Sequence, residues 1–462
     1  MTFASEQPTP RKQTRAAMGS SIGAVVEWYD FLLYGIVAAI VFNKAFFPEV
    51  SPLAGTLAAF ATFGIGFVCR PLGGLVFGHF GDKLGRKRML VWTVLLMGIS
   101  TALIGVLPTY GTIGWWAPLL LVVLRALQGF AVGGEWGGAA LMAVESAPSR
   151  FKALYSSGVQ VGYSVGLILA TGAVALMENG LGEREFQAWG WRVPFLISAL
   201  LVVLALWIRA GVPESEVFKE EVVARQAQKR TKLPVVTALR KHPAAFFQII
   251  GMRMGELVTM YVVTTFALSY AVDEHGFDSG LMLNIGLLVG AVGIVTIPAF
   301  AWLSDRYGRK PVFMTGAVIG VLGAVPYFLS MESGSAILLA VTSVLLVNIA
   351  HDMIVSVQQP LFTELFGAEY RYSGAGVGYQ VASAVGGGFT PFIATALVAF
   401  GDGSWYWVAA YLAAGCGASA LVALTLRGAS SPTSASSSSA ASASSAAATA
   451  ADDSPGRSPV SK

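Results

Sequence analysis

Long apolar stretches separated by short polar segments dominate the chain. A helix that crosses the hydrocarbon of a bilayer needs about 20 apolar residues. Stretches of that kind lie near 17–42, 53–80, 89–108, 116–144, 153–177 and 192–210. After a polar interval at 211–243, six more lie near 244–272, 280–303, 312–330, 335–363, 372–399 and 404–426. The pattern predicts an all-α membrane protein with twelve transmembrane helices. Its parts are an N-terminal segment (1–16), a first six-helix bundle (17–210), a central loop (211–243), a second six-helix bundle (244–426) and a Ser/Ala-rich tail (427–462). The loop carries a weak apolar stripe at Val217, Phe218 and Val222, and the tail lacks the apolar surface needed to fold alone.

Composition agrees. Of 462 residues, 55% are hydrophobic and 12% charged, against about 25% charged in a soluble domain. The 53 glycines suit helices packed closely in lipid. Arg11, Lys12 and Arg15 precede the first apolar stretch as in a signal peptide, but that stretch is too long and contains Glu27 and Asp30, so it reads as a membrane helix. The net charge of +4 is modest, and the basic residues read as topology markers, not as a nucleic-acid surface. One side receives Arg11, Lys12, Arg15, Lys83, Arg86 to Arg88, Arg150, Lys152, the loop from Lys219 to Lys241, and Arg306, Arg309 and Lys310; the other receives Lys44, Arg184 and Arg192. This asymmetry puts both termini in the cytoplasm of a plasma-membrane protein.

An internal repeat sharpens the picture. Gly81-Asp82-Lys83-Leu84-Gly85-Arg86-Lys87 follows the second span, and Ser304-Asp305-Arg306-Tyr307-Gly308-Arg309-Lys310 follows the eighth, 223 residues later. Tyr155-Ser156-Ser157-Gly158 and Tyr372-Ser373-Gly374 open the fifth and eleventh spans, and Glu145 and Glu364 close the fourth and tenth. Two six-helix halves therefore repeat in the same orientation.

With these strings the chain resembles the major facilitator superfamily. Glu27-Trp28-Tyr29-Asp30-Phe31, Arg70-Pro71-Leu72-Gly73-Gly74, and Gln128-Gly129-Phe130 leading to Gly133-Gly134-Glu135 make it similar to the metabolite:proton symporters within it. Members of that family carry proline and glycine betaine, shikimate, α-ketoglutarate or citrate. The resemblance implies a proton-coupled carrier of a small carboxylate-bearing metabolite or zwitterionic osmolyte, working by alternating access. It also implies gating roles for Asp82, Arg86, Glu145, Asp305, Arg309 and Glu364. Asp82 would sit at a helix N-terminus, where a carboxylate is favoured, and Arg86 would reach Glu145. The alternative is that these loops only set topology. The tail has no coiled-coil heptad of the kind that osmosensing members carry, and the fifth span lacks the Gly-Pro step of drug antiporters.

The chemistry should lie in charges that the spans cannot expose. Glu27, Asp30, Arg70, Arg125, Glu135, Glu145, Arg253, Glu256, His351 and Asp352 fall within apolar stretches or at their ends. One charge at a helix centre costs about 2.5–3.5 kcal/mol on the insertion scale, so these groups should face a cavity or one another. Glu27 and Asp30 are three residues apart on one helix face; mutual repulsion and burial both favour a protonated carboxyl. Asp30, with Glu27 and Glu135, is the candidate proton carrier, unless both helix-1 acids merely pair with arginines. Arg125 and Arg70 offer a planar fork to a substrate carboxylate or form internal pairs, Arg125 with Asp30 or Glu27. Arg253 with Glu256 and His351 with Asp352 are further candidate substrate contacts, although adjacent helical residues point about 100° apart and need not share a site. Trp28, Tyr29, Tyr34 and Trp136 could stack on a quaternary ammonium or only fill the bundle.

No zinc spacing, P-loop or dinucleotide fingerprint is present, and Cys69 and Cys416 read as packing residues. No enzyme activity and no cofactor are expected. The expected partners are a small-molecule substrate, a proton and the lipid bilayer around a monomer. A non-transporting metabolite receptor and a proton-driven exporter remain as alternatives.

Overall fold

A computed structural model describes residues 10–84, 86–133, 147–210, 240–366 and 371–426. The described residues form helices and connecting turns, without strands. In the first half, α1 runs Pro10–Val37 and continues through a wide π turn, Ala38–Phe42, to Asn43–Phe46. It is followed by α2 (Pro52–Leu84), α3 (Arg86–Val106), α4 (Trp116–Val132), α5 (Lys152–Leu181) and α6 (Arg192–Ala210). In the second half, α7 (Pro243–Tyr261) continues through a π turn, Val262–Phe266, to Ala267–His275. Next come α8 (Ser279–Tyr307) and α9 (Arg309–Glu332), then α10 (Ala336–Val344, a π turn Leu345–His351, and Asp352–Glu364). The last two are α11 (Arg371–Ala382, a π turn Ser383–Gly388, and Thr390–Phe400) and α12 (Tyr406–Leu424).

Nine helices among the described residues are long and apolar enough to cross a membrane. The other three are two shorter apolar helices, Val91–Val106 and Trp116–Val132, and α6, which joins the preceding Glu183–Gly190 segment at a 53° bend. The central loop at 211–239 and the tail at 427–462 lie outside the described residues.

The repeat read from sequence is visible in the packing. In the first half α1 packs on α5, α2 on α4, and α3 on α6; in the second α7 packs on α11, α8 on α10, and α9 on α12. The halves meet along two matching seams, α5 against α8 and α2 against α11. Large apolar side chains such as Trp92, Leu176, Trp207, Leu322 and Ile337 point outward, as lipid-facing residues of a membrane bundle do.

Glycines set the closest approaches. A Cβ on Gly129 of α4 would lie 1.7 Å from the Gly66 carbonyl oxygen of α2, and one on Gly133 would lie 1.9 Å from the Arg70 oxygen. The two backbones touch where any side chain would separate them. Gly162 and Gly166 do the same for α5 against Ala24 and Trp28 of α1. At the turn from α8 to α9, Gly308 has φ +101°, a conformation costly for any residue with a Cβ. That explains the glycine in the second copy of the repeated loop.

The α5–α8 seam is closed from one end to the other. At the face where α8 hands over to α9, the Asp305 carboxylate accepts the backbone N–H groups of Ala153 (3.1 Å) and Leu154 (3.0 Å) at the start of α5. Midway, a Cβ on Gly293 would meet Ser164, and the Gln160 side chain donates to the Val355 carbonyl of α10 at 3.2 Å. At the opposite face, Ser279 Oγ of α8 donates to Glu178 Oε1 of α5 at 2.5 Å. The α2–α11 seam interlocks by ring and glycine. A Cβ on Gly64 would lie 2.6 Å from the Phe389 ring, and one on Gly388 would lie 2.6 Å from Phe67.

Candidate functional site

The intramembrane charges of the described residues are turned inward. Glu27, Asp30, Arg70, Arg125, Arg253, Glu256, His351 and Asp352 are all buried. Glu135 and Glu145 lie outside the described residues, as do Trp136 and the side chains of Asp82 and Arg86. Their counterparts in the second copy are described: Asp305 caps α5, and Arg309 pairs with Glu364 at 2.5 Å.

In the first half, three helices bring an acid and a base together without letting them touch. Asp30 of α1 is 0% exposed, and its Oδ2 accepts from Thr101 Oγ1 of α3 at 2.9 Å. Gln128 of α4 donates its amide to Thr101 Oγ1 at 2.7 Å, and Arg125, one turn earlier, donates Nη1 to Gln128 Oε1 at 2.6 Å. Arg125 and Asp30 are thus linked by a hydroxyl and an amide, where a direct pair was one expectation. Asp30 Oδ1 and Arg125 Nε and Nη2 have no hydrogen-bond partner among the described residues. Leaving such groups unpaired in a dry interior is costly, so this spot departs from ordinary core packing.

Glu27 takes the other arginine: its carboxylate lies 3.8 Å from Arg70 of α2. Both guanidinium groups stack on Phe31, with Arg70 3.9 Å and Arg125 4.1 Å from the ring centroid. Arg125 also lies 4.2 Å from the Tyr34 ring and Arg70 4.1 Å from that of Phe67. Planar guanidinium groups are favoured on such faces, most of all when desolvated. Two further aromatic candidates, Tyr29 and Trp28, are engaged elsewhere. The Tyr29 hydroxyl donates to the Pro194 carbonyl of α6 at 2.6 Å, and Trp28 packs edge-on against Tyr163 with centroids 5.3 Å apart.

The second half contributes a tighter pair. Arg253 and Glu256, i and i+3 on α7, are joined by two bonds, Nε to Oε2 at 3.2 Å and Nη2 to Oε1 at 2.9 Å. Arg253 Nη1 donates to the Tyr379 carbonyl and to Ser383 Oγ of α11, and its guanidinium lies 3.4 Å from the Tyr379 ring centroid. Gln358 of α10 donates to Glu256 Oε2. His351 and Asp352 do share a site: Nδ1 and Oδ1 are 2.9 Å apart where the helix leaves its widened turn. Thr296 of α8 and Asn348 also donate to Asp352 Oδ2. The His351 ring meets Tyr163 across the seam with centroids 5.3 Å apart.

Tyr261 of α7 links the halves. Its ring packs against Phe63 and Phe67 of α2 at 5.4 and 5.7 Å. Those two rings carry Arg125 and Arg70, 5.0 and 4.1 Å from their centroids, and the buried Tyr261 hydroxyl has no partner among the described residues. The second half thus packs directly on the rings that hold the arginines of the first. Sequence reasoning had not singled out Thr101, Gln128, Tyr261, Gln358 or Tyr379. Only Gln128 gave a signal, as the start of a motif string and one turn from Arg125.

The Major Facilitator Superfamily profile matches residues 20–391 and 294–459. The chain belongs to the major facilitator superfamily. Within that superfamily it is 62% identical over 413 residues to a "Shikimate transporter" of Escherichia coli (strain K12), covering 89% of this chain and 94% of that one. It is 34% identical over 395 residues to a "Proline/betaine transporter" of Salmonella typhimurium, covering 84% and 78%. These relatives place the facilitator chain in the metabolite:proton symporter branch to which its motifs point. Among solved structures it is similar to a "D-xylose-proton symporter", with a TM-score of 0.69, 17% identity and coverage of 89% and 96%. That likeness concerns the shared fold, twelve helices in two pseudo-symmetric halves.

Proposed function

We propose that this facilitator is a proton-coupled symporter that imports a small hydroxylated monocarboxylate of the shikimate type. The observation that carries the reading is Arg125. It is a fully buried guanidinium, stacked on Phe31 and Tyr34, with Nε and Nη2 unpartnered. Two N–H donors on one edge of a planar fork match a carboxylate. The name printed for the 62%-identical relative supports shikimate as that carboxylate.

Coupling follows from the link to Asp30. While Asp30 is ionised, it is the negative charge that Arg125 feels through Thr101 and Gln128. A proton taken up by Asp30 cancels that charge. Arg125 is then left without a counterion in a low-dielectric interior, where an uncompensated charge is costly, and a substrate carboxylate fills the role. Loss of the proton on the other side restores Asp30 as competitor and expels the substrate. Proton and monoanion together move no net charge, so the pH gradient drives accumulation: one pH unit is about 1.36 kcal/mol, or tenfold.

The aromatic faces argue against a betaine-type cation as the cargo. Phe31, Phe67, Tyr34 and Tyr379 already carry guanidinium groups. The seam bonded at both ends, by Asp305 on one face and Glu178 on the other, supports an occluded step of alternating access. The Lys/Arg asymmetry puts the Asp305 face in the cytoplasm.

Uptake of labelled shikimate into proteoliposomes, driven by an inward pH gradient, tests the reading. Accumulation that tracks the gradient, is unmoved by an imposed voltage and is not competed by proline or betaine is expected. Binding without accumulation would point to a receptor, and voltage-driven uptake of proline or betaine to a zwitterion carrier; either result overturns the proposal.

A further inference from the structure

We propose that Glu256 sets the number of carboxylates the site accepts. By binding Arg253 in a closed fork, it leaves Arg125, which no carboxylate among the described residues contacts directly, as the guanidinium for the substrate and so restricts the carrier to monocarboxylates. The inference rests on the reading of Arg125 as the substrate's anchor.

Tyr261 packs on Phe63 and Phe67, the rings that carry Arg125 and Arg70, and the third buried guanidinium, Arg253, lies on the helix of Tyr261 itself; the three are engaged to very different degrees. Arg253 spends Nε and Nη2 on Glu256, and Nη1 on the Tyr379 carbonyl and Ser383. Glu256 is held in turn by Gln358 from α10. Arg70 has Glu27 at 3.8 Å as a counterion, with Nε unpartnered among the described residues. Arg125 makes its hydrogen bond to a neutral amide and keeps Nε and Nη2 unpartnered. Bidentate pairing takes the edge of the fork that a carboxylate would use. A second substrate carboxylate arriving near Tyr261 would therefore find Arg253 neutralised, with the Glu256 charge beside it. In an interior of low dielectric, that like charge is a strong barrier to a dianion. Glu256 acts through Arg253, so it is a positioning residue and not a substrate contact.

The test is selectivity. Wild type and Glu256→Gln are compared for inhibition of labelled shikimate uptake by unlabelled α-ketoglutarate, a dicarboxylate, and by unlabelled shikimate. The amide keeps the shape and an acceptor for Arg253 but removes the charge. The ratio of the two half-inhibitory concentrations should move at least tenfold toward the dicarboxylate. A ratio unchanged within threefold overturns the proposal. Arg253→Gln/Glu256→Gln removes both charges and remains informative if the single variant does not fold: it should keep the wild-type ratio, whatever its rate, and a shift toward the dicarboxylate there overturns the inference too. If wild type itself does not take up shikimate, it is the functional reading that has failed. If wild type transports shikimate and the ratios do not respond as stated, it is this inference.

Discussion

The carboxylate of Asp305 accepts the backbone N–H of Leu154 at 3.0 Å, so a residue at the end of α8 caps the first turn of α5 in the other half of the molecule. The neighbouring Ala153 N–H binds the same carboxylate at 3.1 Å. A helix N-terminus favours a negative charge, and here that preference is used to hold two halves together at one face.

Removing that carboxylate should loosen the face. Asp305→Asn loses the charge on a cap of about 1–2 kcal/mol, a roughly five- to thirtyfold shift toward conformers open at this end. Maleimide labelling of Leu154→Cys in a Cys69→Ser background reads it, because the remaining Cys416 is buried. Labelling should speed up by that order in Asp305→Asn, and an equal rate would leave this loop to set topology through its basic residues alone.

Asp30→Asn should separate transport from coupling. An amide can still accept from Thr101, but it carries no proton between faces. Shikimate accumulation at one unit of pH gradient should fall from about tenfold to about onefold. Exchange of labelled for unlabelled shikimate at equal pH should persist. Preserved gradient-driven accumulation would place the coupling proton elsewhere.

Arg125→Lys keeps the charge and should still fail. The ammonium has no planar fork to lie on Phe31 and Tyr34 while presenting two donors to a carboxylate. An increase in KM for shikimate of at least tenfold, about 1.4 kcal/mol, is expected. A lysine variant with wild-type KM would show that only the charge matters.

Gly129→Ala should not fold properly. Its Cβ would lie 1.7 Å from the Gly66 oxygen, backbone against backbone, with no side chain able to give way. Overpacking of this kind costs about 1–3 kcal/mol or more. Gly417→Ala, with no atom within 4 Å of the added carbon, is the matched control. Thermal unfolding in detergent should show a lower Tm or no folded yield for the first and a wild-type Tm for the second.

Much of this was legible along the chain. Apolar length alone marked the spans: the stretches near 153–177 and 280–303 appear as Lys152–Leu181 and Ser279–Tyr307. The Asp-x-x-Gly-Arg-Lys loops exposed the two-half repeat, which the packing of α1 on α5 and α7 on α11 repeats in space. The cost of a charge in hydrocarbon predicted that Asp30, Arg125 and Glu256 would turn inward, as they do. These are one-dimensional properties. Hydrophobic length and the price of exposing a charge are set residue by residue, before any helix has chosen a neighbour.

Partner choice belongs to another level. Spacing within a helix paired Arg253 with Glu256, three residues apart, correctly. It had no means of assigning Arg70 to Glu27, or of showing that Arg125 reaches Asp30 only through Thr101 and Gln128, because those residues sit on four helices whose depth and rotation are relative. Nor did it foresee His351 beside Asp352, where a widened turn departs from the regular 100° step. The amino-acid order by itself determined how many times this chain crosses the bilayer and which groups must hide there. Which group meets which was decided by tertiary packing, because glycines such as Gly66 and Gly129 fix how closely, and at what height, one helix lies against the next.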